Sequence, residues 1–147
     1  MKTWFLVRHA KSSRDDPSLP DRDRPLDDRG KQDAPKMGRR LAKRAVKPEL
    51  LLSSPALRAL TTAQLIAEEV GYERNAIVVD DRLYASDADE LLDVIRALDK
   101  KLNRVMIFGH NPEFTDLAHR LSSEIIEMPT CAIVEFNFDT KAWSDVG

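Results

Sequence analysis

Apolar residues in this chain come in short unbroken runs, and each run stops abruptly at a polar cluster. Residues 3–7 (TWFLV) run into Arg8 and His9, and residues 50–52 (LLL) run into Ser53 and Ser54. Residues 105–108 (VMIF) run into Gly109, His110 and Asn111. A strand that is apolar at consecutive positions has no face to give to solvent. It must be covered on both sides, which is the situation inside a parallel sheet flanked by helices.

Between these runs the spacing becomes helical. A helix is expected over residues 30–45. A second starts at Ser54-Pro55, with the serine as N-cap and the proline in the first turn. Its apolar stripe is Leu60, Ala63, Ala67 and Val70, and Gly71 closes it. Residues 76–79 read as a further strand. Residues 87–101 read as a helix with Leu91, Ile95, Leu98 and Leu102 on one side. Asn111-Pro112 opens another helix with Phe114, Leu117, Ala118 and Leu121, and residues 131–138 form a last, alternating strand. This β-α-β-α-β-α-β-α-β order predicts a three-layer α/β/α sandwich with a mostly parallel central sheet. The 147 residues fit one domain, 1–147. Residues 11–29 are polar, hold three prolines and mix both charges, so a long loop is expected there.

Composition narrows the partners. With a net charge of -2, the chain has no overall pull toward nucleic acid or membrane, so any anion site must be local. The single cysteine, Cys131, excludes an intramolecular disulfide and a cysteine-rich metal centre; it reads as a small packed residue. No metal and no other cofactor is expected. No segment approaches the ~20 apolar residues of a membrane span, and the first run is shorter than a signal-peptide core. The expected location is cytoplasmic.

In a sheet of this kind ligands bind outside the carboxyl ends of the strands. The first strand delivers Arg8 and His9 there. The second delivers Ser53 and Ser54, with Arg58 one turn further on, and the fourth delivers His110 and Asn111. Two arginines, two histidines and two helix N-termini make a pocket for a dianion, most simply a phosphoryl group. A guanidinium bonds two oxygens at once and keeps its charge. A neutral imidazole can also attack phosphorus and form a phosphohistidine intermediate. His9, held at a strand end beside Arg8, suits attack. His110, just ahead of a helix, suits donation to the transferring oxygens. Ser12 and Asn111 are expected at the phosphate, a turn role being the alternative for Ser12. Lys11 reads as solvated.

Three motifs carry a resemblance. "LVRHA", "SSPALRALTTAQ" and "FGHNP", in this order, resemble the histidine phosphatase superfamily, the phosphoglycerate-mutase-like group. "RHAKSSRDDPSLPDRDRPLDDRG" is similar to the opening of its short SixA-type phosphohistidine phosphatases, including Arg24-Pro25-Leu26 and Arg29-Gly30. The resemblance runs from residue 3 to about 137. It implies that His9 is the phosphorylated nucleophile and that Arg8, Arg58 and His110 grip the phosphoryl group. It also implies that the last strand is an antiparallel edge. The implied substrate is phosphohistidine in a protein. A small activated phosphate metabolite, or a weakly active phosphoprotein-binding module, is the alternative. One departure stands out: larger members carry a glutamate as general acid after the third strand, and here Ala85 falls at that place in "RLYAS". Asp15, Asp16, Asp87 and Asp89 are the candidate substitutes. Acid catalysis is typically worth ~10²–10⁴-fold, so a site without it favours an activated leaving group such as phosphohistidine.

Overall fold

Trp4 and Leu6 point to one side of the first strand, Phe5 and Val7 to the other, and all four are buried. In the computed structural model, which describes residues 1–147, this strand is β1 (Lys2–Arg8). It lies parallel to β4 (Arg104–Gly109), in register from Thr3 opposite Arg104 to Arg8 opposite Gly109. On the far side of β4 comes β2 (Leu50–Ser53), then β3 (Val78–Val79), both parallel. β5 (Ile133–Phe138) runs antiparallel along β1 and forms the opposite edge, so the order is β3-β2-β4-β1-β5. This is the expected mostly parallel sheet, with the antiparallel last strand that the resemblance implied.

The consecutive apolar positions divide between two cores. Phe5, Val7, Leu51, Met106 and Phe108 pack with Leu41 of α1 (Asp28–Lys43) and with Ala63, Ile66 and Ala67 of α2 (Leu57–Val70). Trp4, Leu6, Leu52, Val105 and Ile107 pack with Leu91 and Ile95 of α3 (Ala88–Arg96) and with Phe114 and Leu117 of α4 (Glu113–Leu121). Two helical layers therefore enclose one sheet, and its inner strands β1, β2 and β4 have no wet face, whereas the edge strands β3 and β5 keep exposed residues.

Several boundaries differ from expectation for local reasons. α1 begins two residues early because Asp27 caps it, its Oδ1 accepting from Gly30 N at 2.8 Å. α2 begins at Leu57 and not beside Ser54. Ser54 is no N-cap: its Oγ accepts from Ala56 N at 3.2 Å and faces His110, while Ala56 is still extended. β3 is two residues long, because residues 74–76 form a 3-10 turn first. α3 stops at Arg96, not near residue 101. Asp99 Oδ1 takes the Lys101 amide in a local turn, which competes with helix. Leu98 and Leu102 still reach the α3–α4 core from that turn. Cys131 adopts φ 61, so residues 131 and 132 lie in a turn ahead of β5. The sequence reading gave residues 139–147 no element, yet Trp143 is fully buried in the α3–α4 core, with its Nε1 donating to Leu102 O at 2.8 Å. No helix is long and apolar enough to cross a membrane.

The N-terminus of α1 sits flush against the loop that follows β1. A Cβ added at Gly30 would lie 2.2 Å from the Lys11 carbonyl oxygen, a backbone atom that cannot rotate away. Gly30→Ala should therefore cost about 1–3 kcal/mol as the two segments are forced apart. Urea unfolding of the variant against the parent checks this, and an unchanged midpoint would contradict the close approach.

Candidate active site

β1 and β4 are neighbours in the middle of the sheet, so the residues leaving their carboxyl ends emerge together. The His9 amide donates to Gly109 O at 3.0 Å, and the Ser54 amide donates to Phe108 O at 3.0 Å. Three strand ends are thereby tied at one point. The rings of His9 and His110 stand 5.3 Å apart, and Arg58 comes in from the first turn of α2. Around them is a cavity of about 370 Å³ lined by eleven residues, none of them hydrophobic. Arg8, Lys11, Arg14, Arg24 and Arg58 bring five positive charges to it, and Asp21 brings one carboxylate. All six residues singled out in the sequence, namely Arg8, His9, Ser12, Arg58, His110 and Asn111, line this cavity.

The hydrogen bonds fix the state of His9. Its Nδ1 lies 2.7 Å from Ala10 O. A carbonyl only accepts, so Nδ1 carries the proton and Nε2 keeps a lone pair. Burial pushes the His9 pKa down to about 4; the Ala10 hydrogen bond opposes this, and the charges of Arg58, Arg8 and Arg24 add to it. The imidazole is therefore neutral near pH 7. His110 Nε2 lies 2.7 Å from Ser54 Oγ. Ser54 is fully buried and its hydroxyl has no acceptor other than Nε2 among its partners, so its proton goes to Nε2 and the neutral His110 carries its own on Nδ1. Burial, then Arg58 and His9, lower the His110 pKa to about 3.

Three buried donors here have no protein partner: Arg8 Nε, Arg58 Nε and His110 Nδ1. Such a group costs about 1–3 kcal/mol when left unmade. All three belong to side chains that line the cavity. The remaining bonds hold these side chains still. Arg8 Nη1 donates to Met128 O at 3.0 Å. Arg58 donates to Asp21 twice, from Nη1 to the carbonyl at 2.7 Å and from Nη2 to Oδ2 at 3.0 Å. The Tyr84 hydroxyl donates to the same Oδ2 at 2.6 Å, and Arg24 Nε reaches Oδ1 at 3.2 Å. Tyr84 above all, then Arg58 and Arg24, hold the Asp21 carboxyl far below the usual carboxylate range, so it is ionised.

The two outer residues differ in freedom. Ser12 Oγ accepts from Arg24 Nη1 at 3.0 Å and keeps its own proton for an acceptor in the cavity. Asn111 is mostly committed elsewhere. Its Oδ1 accepts from the Thr115 amide and hydroxyl, and its Nδ2 gives one hydrogen to Met128 O. Lys11 also lines the cavity while its side chain stays exposed, in keeping with the solvated position expected from the sequence.

None of the four candidate proton donors lines the cavity. Asp87 caps α3, Asp89 pairs with Arg120, Asp16 accepts from Ser18, and Asp15 lines a separate depression beside Lys31. Ala85 does stand in an adjoining chamber, and with it a carboxyl that the sequence did not single out. This is Glu113, buried at the start of α4, whose Oε2 accepts from Ser86 N at 3.2 Å. Asp21, Arg24, Arg14 and Tyr84 were missed as well. The mixed charges of residues 11–29 were the available signal, but pattern alone does not tell a surface ion pair from one turned into a site.

A sequence model of the histidine phosphatase superfamily (branch 1) matches residues 4–111. An uncharacterised chloroplastic protein of Arabidopsis thaliana is 30% identical over 149 residues, covering 96% of this chain and 68% of its own length. Among solved structures, one assigned as the phosphohistidine phosphatase SixA of Agrobacterium tumefaciens superposes with a TM-score of 0.86. It is 28% identical, over 94% of this chain and 92% of that one. The protein histidine phosphatase SixA complexed with tungstate gives a TM-score of 0.83 at 26% identity, over 93% of this chain and 88% of its own.

The two buried imidazoles make stability depend on pH. In the unfolded chain they titrate near 6.5, and in the fold at about 4 and about 3. Above pH 6.5 both are neutral in either state. As pH falls from 6.5 toward 4 the unfolded chain takes up protons that the fold refuses, so stability is lost through that window. At pH 5 His9 alone accounts for a loss on the order of 2 kcal/mol. Urea midpoints should drop between pH 7.5 and pH 5, and His9→Asn should show a smaller drop.

Proposed function

The chain belongs to the histidine phosphatase superfamily, and we propose that it removes the phosphoryl group from phosphohistidine in a protein, through a phospho-His9 intermediate. Its activity is that of a phosphatase, acting on phosphorylated substrates. The observation that carries the mechanism is the neutral His9. Its Nδ1 is anchored to Ala10 O, and its Nε2 is left with a lone pair in a cavity bounded by Arg8, Arg58 and His110. Nε2 attacks phosphorus as the bond to the leaving nitrogen breaks. Arg8, Arg58 and the His110 Nδ1–H meet the charge on the phosphoryl oxygens, from positions fixed beforehand by Met128, Asp21 and Ser54. Water then cleaves the P–N bond to His9 and releases phosphate.

Two observations support phosphohistidine as the substrate. The SixA structures match this chain over nearly its whole length. The wall of the phosphoryl cavity has no hydrophobic residue, so it offers a small metabolite no apolar surface. A phosphorylated side chain brings its own protein surroundings and needs no such wall. The proposed place of action is the cytoplasm, although the Arabidopsis relative is chloroplastic. Nucleic acid and membrane are not among the partners proposed.

His9→Ala should abolish turnover while inorganic phosphate or vanadate still binds weakly. Labelled donor quenched in base should leave label on the parent protein and none on the variant. A panel of phosphohistidine protein, acetyl phosphate and nitrophenyl phosphate then identifies the substrate. The highest kcat/KM on acetyl phosphate would move the assignment to a small activated phosphate. Activity should also survive dialysis against EDTA, because arginines meet the phosphoryl charge; loss restored by a divalent ion would overturn this mechanism.

A further inference from the structure

We propose that Glu113 is the general acid and base of this site, giving its proton to the leaving group and later taking one from the attacking water. The inference rests on the phospho-His9 reading. It starts from a second chamber of about 370 Å³ that shares Asp21, Arg58, His110 and Asn111 with the phosphoryl cavity. Its further wall includes Ala85, Ser86 and Glu113. His9 lines the first chamber and not the second. In an in-line displacement the nucleophile and leaving group stand on opposite sides of phosphorus. A chamber bounded by the gripping side chains but not by the nucleophile is where the leaving group belongs.

Glu113 is 5% exposed, a rare burial for a carboxyl without a cation bonded to it. Its Oε2 takes the Ser86 amide, which brings the carboxyl beside Ala85. That is the turn where the resemblance puts a glutamate in larger relatives. The acid missing from the loop after β3 is thus delivered from the start of α4. Burial raises the Glu113 pKa and Asp116 on the same helix adds to this, while its own amide, the Ser86 amide and Arg58 oppose it. The other ionisable groups facing this region are Asp21 and Tyr84, His110 at the end of β4, and Glu90 of α3, which shares Ser86.

In the first step the His9 Nε2–P bond forms and the substrate P–N or P–O bond breaks. The electron pair of the broken bond passes to the leaving atom, which takes the Glu113 proton. In the second step the Glu113 carboxylate removes a proton from water as the water oxygen bonds phosphorus. The P–Nε2 electron pair then returns to His9, and Glu113 ends protonated as it began.

Glu113→Gln keeps an oxygen for the Ser86 amide and removes the proton. For alkyl phosphates and phosphohistidine protein, kcat/KM should fall ~100-fold. The nitrophenolate burst should stay within about threefold, because that leaving group needs little proton help. The alkaline limb of the parent's pH profile should vanish in the variant. Equal losses on all substrates, no loss, or an unchanged alkaline limb would overturn the inference. If the variant does not fold, the parent decides. A shallow dependence of kcat/KM on leaving-group pKa supports the donor, and a steep one excludes it. Labelled phosphoenzyme separates the two levels. Label on His9 with any of these negative results removes Glu113 alone, and no label on the parent removes the phospho-His9 reading as well.

Discussion

Parallel pairing of β1 with β4 is the constraint on which the site depends. Because Arg8 lies opposite Gly109, the next residue on each strand is a histidine, and the two rings meet. A slip of one residue in this register would turn Trp4 and Leu6 toward the wrong core and separate the rings. The positions of His9 and His110 are thus enforced by the burial of large apolar side chains on both faces of both strands. Side-chain bonds only finish the placement: Ala10 sets the His9 ring and Ser54 sets the His110 ring.

Concentrating positive charge in a chain of net charge -2 has an electrostatic cost, and Asp21 offsets part of it. The carboxylate binds the outer side of Arg58 while Arg58 Nε stays unpartnered beside the cavity. One anion thereby orients the guanidinium without using all of its donors. The same field keeps both imidazoles neutral: Arg58 lowers the proton affinity of each ring, on top of burial. A nucleophile and a charged grip normally conflict, since a cationic imidazole cannot attack. Under the proposed mechanism, the grip itself helps hold His9 in the neutral form that attacks.

What was legible in the sequence followed from periodicity and strand ends. Unbroken apolar runs gave the buried sheet, and the polar residues that stop them gave Arg8, His9, Arg58 and His110. Contacts between residues distant in the chain were not legible. Ser54 looked like a helix cap because serine before proline has that local chemistry, whereas His110 claims its hydroxyl from another strand. Asp21 looked like one charge among many, because only the fold shows that its loop lies over α2. Glu113 followed a proline at a helix start, a place where an acidic residue is unremarkable by sequence. Only the meeting of α4 with residues 84–86 gives it another meaning.

The strand order also governs the timing of assembly. Of the five strands of this sheet β1 is made before the others, yet its neighbours are β4 and β5, made much later: Thr3 pairs with Arg104 on one side and Asn137 on the other. Until those segments emerge, an apolar strand with unpaired edges has nothing native to join, and such edges are sites of aggregation. β2 and β3, made in between, cannot shelter it, because they belong on the far side of β4. The chain therefore folds through late, long-range closure, which is intrinsically slow. The candidate site forms with that closure, since its two histidines lie at the ends of the β1–β4 pair.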